Sequence, residues 1–484
     1  MRKLKCILLL SAFTLGSSFV HAQDNAALLD ILVKKKVISD QEAEEVRADL
    51  VKEYTAVPAG KINISAPVKE LRIYGDTRLR YEYRGAKSET NSNDSVEADR
   101  FRYRLRIGMD LKLTEDWFVG VRVETASGGR STNVTMGPNG NGSGGSTTGP
   151  WNKSNNSIYL GQAYVKNSSL PWLTVIGGRM PNPLVTSPMV WDPDINPEGF
   201  AQQLKYSFGP FESSEKPSAD GKGTVAASEP SPLTLDIFGN FGEFVYDSGY
   251  KQNSFGSATP SYNDIFLIAL QSGAKLNFDK STSLQVAPTL YLYTSTKTTD
   301  YVGAANVYSG APGGNQYGIN DLEILDIPVE FDWTMAGLPF RLFGEFADNL
   351  QAAERAKQAE TVATVKAAKI GGQNIAWQAG LGINKIKKKG DWELMGYWQT
   401  SEQYSLDTNL IDDDVFDSHL NTQGPVVKAG YALTDAVSLS LSYNYGMIID
   451  NKLGTGGYAG LNGATSNPAT KSYNLIQMDL NVKF

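Results

Sequence analysis

Two neighbouring stretches of the sequence each carry four arginines that are an even number of residues apart. These arginines are Arg72, Arg78, Arg80 and Arg84 in the first stretch and Arg100, Arg102, Arg104 and Arg106 in the second. Apolar residues such as Ile73, Leu105 and Ile107 stand between them. Successive side chains of a β-strand point to opposite faces, so this spacing predicts one arginine-bearing face and one apolar face. The guanidinium groups either set an electric field at that face or neutralise carboxylates on the same strands, namely Asp76, Glu82 and Asp110.

A proline-rich segment at about residues 180–200 holds a second set of charged side chains. The charged residues at this segment are Arg179, Asp192, Asp194 and Glu198. Prolines and carboxylates together predict a rigid acidic loop. Asp192, Asp194 and Asn196 also resemble the start of a calcium-binding loop, but Pro197 stands where such a loop needs glycine and Gln203 where it needs glutamate. We expect no cofactor here, with Ca²⁺ as the alternative.

The beginning of the chain is typical of an export signal. A basic start is followed by an apolar run at 7–20 and a small-residue cleavage site, which predicts a signal peptide over residues 1–22. Its removal takes away Cys6 and His21 and leaves 42 basic and 52 acidic residues, a net charge of −10. A mature chain without cysteine excludes disulfides and thiolate metal sites. The acidic balance argues against a nucleic-acid partner.

A short helical segment is predicted at residues 23–54. Apolar residues recur there at helical spacing, and Ser39 to Glu42 form a capping-box pattern. This segment is either a periplasmic coiled coil that contacts the cell wall or a small hairpin that packs near the rest of the protein. A linker containing proline and glycine follows at 55–69.

The remainder, residues 70–484, alternates between apolar and polar side chains over unusually long strands. Strands of about ten residues that alternate strictly match the tilted crossing of a bilayer, and the chain after the signal has no apolar run of 18 residues for a spanning helix. We therefore predict an all-β fold, a transmembrane antiparallel barrel of about 16 strands, with 14 to 18 possible. Short turns alternate with long loops, and the long loops are expected outside the cell. The loop at 402–423, with Asp412 to Asp414 and Asp417, is expected to be an outer loop that is solvated, bridges lipid A or attracts cations, and 351–369 is expected to be a helix on another outer loop.

The last strand ends in Phe484 after a strictly alternating run, and here the sequence resembles the outer-membrane porins. The run 178–183, the pair Trp191-Asp192 and the strand end Asp348-Asn349-Leu350 carry the resemblance to a family of porins over most of residues 24–484. The resemblance implies that Phe484 is an assembly signal read by the barrel-insertion machinery. It also implies a homotrimer in the bacterial outer membrane, in contact with lipid and lipopolysaccharide.

A porin-like barrel would carry the arginines on its inner wall. Arginine on the lipid face costs about 2–4 kcal/mol at mid-depth, so the predicted pore-lining residues are Arg72, Arg78, Arg80, Arg100, Arg102, Arg104 and Arg106, with Glu330 on a distant strand. The acidic segment at 180–200 would fold into the barrel as a constriction loop whose Asp192, Asp194 and Glu198 face these arginines across the opening.

The predicted function is a water-filled channel for passive diffusion of small hydrophilic solutes and ions. The alternatives are a substrate-specific channel and a structural anchor with a blocked lumen. A hydrolase would need a nucleophile and a base, and His419 is the only imidazole of the mature chain, so we expect no enzyme.

Overall fold

The computed structural model describes the barrel region at residues 65–88, 95–126, 131–137, 157–211, 233–247, 264–294, 321–362, 372–450 and 470–484, and a few residues between 33 and 46. The chain divides into two compact units, Met1–Ser65 and Ala66–Phe484. The predicted signal peptide and residues 55–64 of the predicted linker lie outside the described residues, and the first strand begins at Val68, within the segment predicted as linker.

Residues 41–44 of the first unit are helical, and the capping box forms as a mutual pair of hydrogen bonds. The backbone N–H of Ser39 donates to the Glu42 carboxylate at 2.8 Å, and the N–H of Glu42 donates to the Ser39 hydroxyl at 3.2 Å. These hydrogen bonds lower the pKa of the Glu42 carboxyl. Two of the unpaired N–H groups at the start of a helix are satisfied in this way.

The second unit is a single antiparallel sheet of long strands. The strands are β1 Val68–Ser88, β2 Ser95–Leu113, β3 Trp117–Ala126, β4 Ser157–Leu170, β5 Leu173–Arg179, β6 Glu198–Phe211, β7 Leu233–Asp247, β8 Ile265–Asn277, β9 Ser283–Val286 continued as Thr289–Tyr293, β10 Glu323–Met335, β11 Leu338–Asn349, β12 Ile375–Ile383, β13 Trp392–Ser401, β14 Thr422–Ala432, β15 Val437–Ile448 and β16 Thr470–Lys483. A two-residue strand, Val134–Thr135, also pairs with β2.

The sheet closes because β16 pairs with β1 as well as with β15. The prediction of an antiparallel barrel of 16 strands is thereby confirmed. The seam runs from Asp76 opposite Lys483 to Ser88 opposite Thr470, so neither strand keeps an unpaired edge along it. At the end of the seam Phe484 exchanges backbone hydrogen bonds with Gly75, and its ring lies where a Cβ on residue 75 would stand.

The alternation of the sequence becomes an outer and an inner face. Ile73 is 60% exposed and Phe101 58%, whereas Arg80 and Arg104, on the same two strands, are 4% and 5% exposed. Apolar side chains therefore cover the outside of the barrel, and charged side chains lie within it. An apolar outer surface of this extent is stable in contact with lipid but not in contact with water.

One end of the barrel has short connections, at 114–116, 171–172, 336–337 and 433–436. Aromatic side chains collect near this end, among them Trp117, Trp172 and Trp392, each 40–50% exposed. Trp333 stacks on Phe340 across the β10–β11 hairpin, with ring centroids 5.3 Å apart. Aromatic residues at strand ends are typical of the membrane–water boundary.

An α-helix of the barrel unit, α1 at Ala352–Val362, follows β11 in the described part of the chain. It begins within the segment for which the sequence predicted a helix. In the parts of the chain that the structure describes, no helix is both long and apolar enough to span a membrane.

Candidate channel lumen

The arginine-bearing faces of β1 and β2 lie side by side on the inner wall. Their register sets Arg78 directly opposite Arg104, and Arg80 directly opposite Arg102. Like charges that face each other across a strand pair repel, so this wall is stable only if carboxylates are interleaved with the guanidinium groups. The same register supplies one of them by placing Glu82 opposite Arg100.

Three carboxylates of the wall itself neutralise most of the ladder. Asp76 accepts hydrogen bonds from Arg104 and Arg106, each at 2.7 Å. Glu82 is fully buried and accepts from three arginines, at 2.7 Å from Arg84, 2.6 Å from Arg100 and 3.2 Å from Arg102. The Asp479 carboxylate on β16 pairs side-on with Arg80, at 2.7 and 3.0 Å. The ladder is therefore a network of ion pairs rather than a row of free positive charges.

The constriction loop, residues 180–197, leaves the wall at the end of β5 and folds into the barrel. Met180, Met189 and Trp191 are buried within it, and the Trp191 ring packs against Phe244 and Tyr291 on the wall. The Trp191 indole N–H donates to the carbonyl of Ile195 at 3.0 Å and holds the loop in a compact turn. Arg179 and Glu198 pair at 2.7 Å where the loop enters and leaves.

Two glycines allow this loop to leave and rejoin the sheet. Gly178 has φ +115° and Gly199 has φ +147°, both in the region that disfavours a side chain. A Cβ on Gly178 would overlap the carbonyl oxygen of Ala163, and one on Gly199 that of Glu243. The backbone therefore passes its neighbours too closely for any other residue.

The chain between β13 and β14, residues 402–421, also folds into the barrel, and we name it the second lumen loop. The prediction of a solvated outer loop is wrong for this segment. Leu406, Phe416 and Leu420 are almost wholly buried, and Asp412 is 8% exposed. An apolar side chain at every few positions of 406–420 was the signal in the sequence, but it has neither helix nor strand period and so predicted no element.

The second lumen loop bonds to the constriction loop and to both sides of the barrel. The N–H of Asp192 donates to the carbonyl of Leu410 at 2.6 Å, and the N–H of Asp412 donates to that of Pro188 at 3.1 Å. On β7 and β9, the hydroxyls of Tyr246 and Tyr293 both donate to Asp407, each at 2.8 Å.

The opposite side of the second lumen loop lies on the arginine ladder. Arg80 donates to both oxygens of Asp414, at 2.8 and 3.0 Å, and Arg84 pairs with Asp417. Gln477 on β16 adds a hydrogen bond to Asp414 at 2.6 Å. The carboxylates that the ladder lacks on its own strands are thus supplied by a loop more than 300 residues away.

The acidic residues of the constriction loop have different partners. Asp194 lies against the ladder directly, 3.5 Å from Arg106 and 3.8 Å from Arg104, and accepts from Thr132 at 2.8 Å. Asn196 accepts a hydrogen bond from Gln162 at 2.9 Å. The predicted Ca²⁺ ligands, Asp192, Asp194 and Asn196, therefore point to different partners. Of the predicted acidic set, only Asp194 meets the ladder, and it does so in contact rather than across an opening.

Asp192 instead meets two carboxylates of the second lumen loop. One carboxylate oxygen from each of Asp192, Asp412 and Asp413 lies within 4.8 Å of the other two. Burial and the neighbouring carboxylates raise the pKa of Asp412 to about 8 and that of Asp413 to about 6. Burial also opposes ionisation of Asp414, but Arg80 holds the pKa of that carboxyl below its ordinary value. The two loops therefore meet through carboxyls that resist ionisation.

Two of the predicted site residues, Arg72 and Glu330, lie away from this centre, whereas Arg78 belongs to the ladder. Arg72 is exposed near the end with short turns, with its guanidinium 5.4 Å from the centre of the Tyr74 ring. The Arg78 guanidinium lies 3.4 Å from the Asp479 carboxylate and donates to the side chain of Asn481 at 3.0 Å. Glu330, on β10, pairs with Arg341. The field-setting role of these residues stays a prediction.

A cavity of about 480 Å³ remains beside the constriction loop, between the loop and strands β3 to β8. Its charged and polar lining includes Glu124, Thr132, Arg179, Asp194, Glu198 and Asn409. Trp191, Phe244 and Leu267 form an apolar part of the same wall. The cavity lining therefore combines charged, polar and apolar side chains.

Residues 87–312 match the model of the family described as "Putative porin". The barrel is porin-like. The family match and the closed 16-stranded barrel make this protein an outer-membrane channel of bacteria. No curated protein matches the chain in sequence.

Solved porin structures are similar to this porin-like barrel at low identity. One is an anion-selective porin from Comamonas acidovorans, with 11% identity, coverage of 86% of this chain and 99% of that chain, and a TM-score of 0.42. Another is the outer-membrane channel DcaP of Acinetobacter baumannii, with 13% identity, coverage of 87% and 99%, and a TM-score of 0.40. A triple mutant of the Rhodopseudomonas blastica porin shows 10% identity, coverage of 86% and 100%, and a TM-score of 0.35.

Proposed function

We propose that this porin-like barrel conducts small hydrophilic solutes and ions passively through a lumen narrowed by two loops. The observation that carries the proposal is the position of the constriction loop and the second lumen loop, which meet inside the barrel and are bonded to opposite walls. A lumen filled to this extent excludes large solutes by size. Passage then depends on the charges along what remains.

The charges of the lumen favour polar over apolar solutes. Arg104 and Arg106 lie within one cluster with Asp76 and Asp194, so positive and negative groups alternate over a few ångströms. A solute that passes such a wall must replace water contacts with contacts to charged groups. Ions and dipolar molecules can do so, and apolar molecules cannot.

A substrate-specific channel is the second candidate, and the apolar packing between the loops favours it. Leu410 and Trp191 belong to one buried apolar cluster with wall residues such as Phe244 and Leu267. A lumen with its own packed core needs either a very narrow path or a movement of a loop for passage. A structural anchor would have the same packing and no conductance.

The apolar outer surface supports contact with outer-membrane lipid, and rim cations would suit lipopolysaccharide phosphates. The homotrimer, the recognition of Phe484 by the insertion machinery and the cell-wall contact of the N-terminal segment belong to this proposal as well. The first two rest on the resemblance to porins, and the cell-wall contact rests on the predicted helical segment.

Conductance measurements test the proposal. Purified protein in planar bilayers should give steps that scale with salt concentration, and liposomes that contain it should swell in small sugars more than in large ones. A barrel without conductance in any salt would refute passive transport and favour the anchor. Steps that a single solute class blocks would favour the specific channel.

Replacing Arg102, Arg104 and Arg106 with alanine tests the role of the ladder. The change leaves Asp76 and Asp194 without their guanidinium partners, so the reversal potential in a salt gradient should shift toward cation preference. Arg72→Ala, at the exposed end of the same wall, is the matched control and should shift it less. An unchanged reversal potential in the triple variant would contradict a field-setting ladder.

A further inference from the structure

A group of buried oxygen atoms lies between the constriction loop and the wall, on the side of the barrel away from the arginine ladder. The group consists of both carboxylate oxygens of Asp326, the Oε1 atom of Glu345 and the hydroxyls of Tyr291 and Thr186. None of these five oxygens has a hydrogen-bond partner. Asp326 is 0% exposed and Tyr291 is 1% exposed, so bulk water does not satisfy them either. Buried polar atoms are almost always satisfied, which makes five together in one place unusual.

The strand register explains why these side chains converge. Asp326 on β10 stands opposite Thr289 on β9, and Tyr291 follows two positions later on the same inner face. On the other side, Glu345 on β11 stands opposite Pro328, two positions after Asp326. The carboxyls of Asp326 and Glu345 are close electrostatic neighbours, and the Tyr291 hydroxyl lies near both. Thr186 approaches Tyr291 from the constriction loop.

These two carboxyls lack the counter-charge that the arginine ladder gives to the carboxylates beside it. Asp76, Glu82 and Asp414 are each held by at least one arginine. No arginine or lysine of the described residues forms an ion pair with Asp326 or Glu345, and their main electrostatic neighbour is each other. Two buried carboxyls in contact need either a shared proton or a cation between them.

We infer that this group is a binding site for a hard divalent cation of the Ca²⁺ class. The donors are all oxygens, which excludes the soft metals that prefer sulfur or imidazole. Two carboxylates balance a double positive charge, and the two hydroxyls complete five protein ligand atoms. Ca²⁺ accepts six to eight oxygen ligands in flexible geometry, whereas Mg²⁺ demands a near-ideal octahedron and keeps several waters.

The cation would fasten the constriction loop to the wall. Thr186 contributes a ligand from the loop, and the next residue, Ser187, already hydrogen-bonds Glu345. Gln378 on β12 donates to the same Glu345 oxygen at 2.6 Å, which leaves the other oxygen of that carboxylate free for the metal. This site differs from the cluster of Asp192, Asp412 and Asp413, where the two loops meet.

Metal analysis of the purified full-length protein tests the site. The protein is equilibrated with CaCl₂, separated from free metal by gel filtration and analysed by mass spectrometry for bound calcium. We expect about one calcium per chain in the wild type and none in Asp326→Asn or Glu345→Gln, because each change removes a charged ligand. Glu330 lies on the same strand as Asp326 and its carboxyl is paired with Arg341. Glu330→Gln is therefore the matched control and should keep the calcium.

Further variants keep the inference testable if the carboxyl variants fail to fold. Tyr291→Phe removes only a hydroxyl and should weaken calcium binding severalfold without affecting heat-modifiable migration on gels. Asp412→Asn changes the other carboxyl cluster, where the two loops meet, and should leave the calcium bound. A wild type without calcium would mean a shared proton and overturn the inference, and so would calcium that is lost in Asp412→Asn but kept in Asp326→Asn. Neither result depends on whether the barrel conducts.

Discussion

Neutralising Asp414 and Asp417 together should release the second lumen loop from the arginine ladder. The double variant Asp414→Asn, Asp417→Asn removes the charge from the contacts with Arg80 and Arg84. Each arginine still has a carboxylate partner in the double variant, because Arg80 remains paired with Asp479 and Arg84 with Glu82. The barrel wall itself should therefore remain intact, and the effect should be confined to the docking of the loop.

The size of the effect follows from the two lost ion pairs. A hydrogen bond to a charged group contributes about 1.5–3 kcal/mol, and the lower value applies because each arginine retains another carboxylate. Two such losses amount to about 3 kcal/mol in favour of the undocked loop. Since about 1.4 kcal/mol corresponds to a tenfold change, the undocked population should rise by about a hundredfold.

Single-channel recording in planar bilayers measures this population. The time spent in a high-conductance state should rise by about two orders of magnitude in the double variant. Asp412 lies in the same loop and has no arginine partner among the described residues. Asp412→Asn removes a carboxylate that repels its neighbours, so this variant should not spend more time in the high-conductance state. A folded double variant whose conductance states are distributed as in the wild type would refute the docking argument.

Two further predictions follow, one for the contact between the two loops and one for Gly199, where the constriction loop rejoins the sheet. The pKa of Asp412 is raised to about 8 and that of Asp413 to about 6. These carboxyls therefore stabilise the contact between the two loops fully only at low pH, where they are protonated. This stabilisation is lost as the pH rises through those values, since the charged forms repel one another and Asp192. The high-conductance state should therefore become more frequent as the pH rises from about 4 to about 8 in the wild type and less so in Asp412→Asn; equal slopes would contradict the assignment. Gly199→Val should cost at least about 2 kcal/mol, because φ is +147° and the side chain would overlap the Glu243 carbonyl. Heat-modifiable migration on gels should be lost in Gly199→Val and kept in Gly396→Val, where a Cβ meets open space; a normally folded Gly199→Val would disprove the strain.

Strand alternation alone determined most of the barrel. Ile73 and Phe101 face outward and Arg80 and Arg104 inward because side-chain direction depends only on position parity along a strand. The constriction loop could also be placed, since its prolines interrupt the pattern between two clear strands. The capping box of Ser39 and Glu42 is local in the same sense, because both partners lie within one helical turn.

Partners distant in sequence were decided only by the tertiary structure. Arg80 and Asp414 are 334 residues apart, and no local pattern links them. The many aspartates of the second lumen loop predict an outer loop in contact with solvent, whereas the barrel offers arginines that neutralise two of them. The pairing of Asp326 with Glu345 likewise depends on the register between β10 and β11, which a sequence does not specify. Periodicity shows which way a side chain points, but closure of the barrel decides which side chains from distant strands and loops it meets.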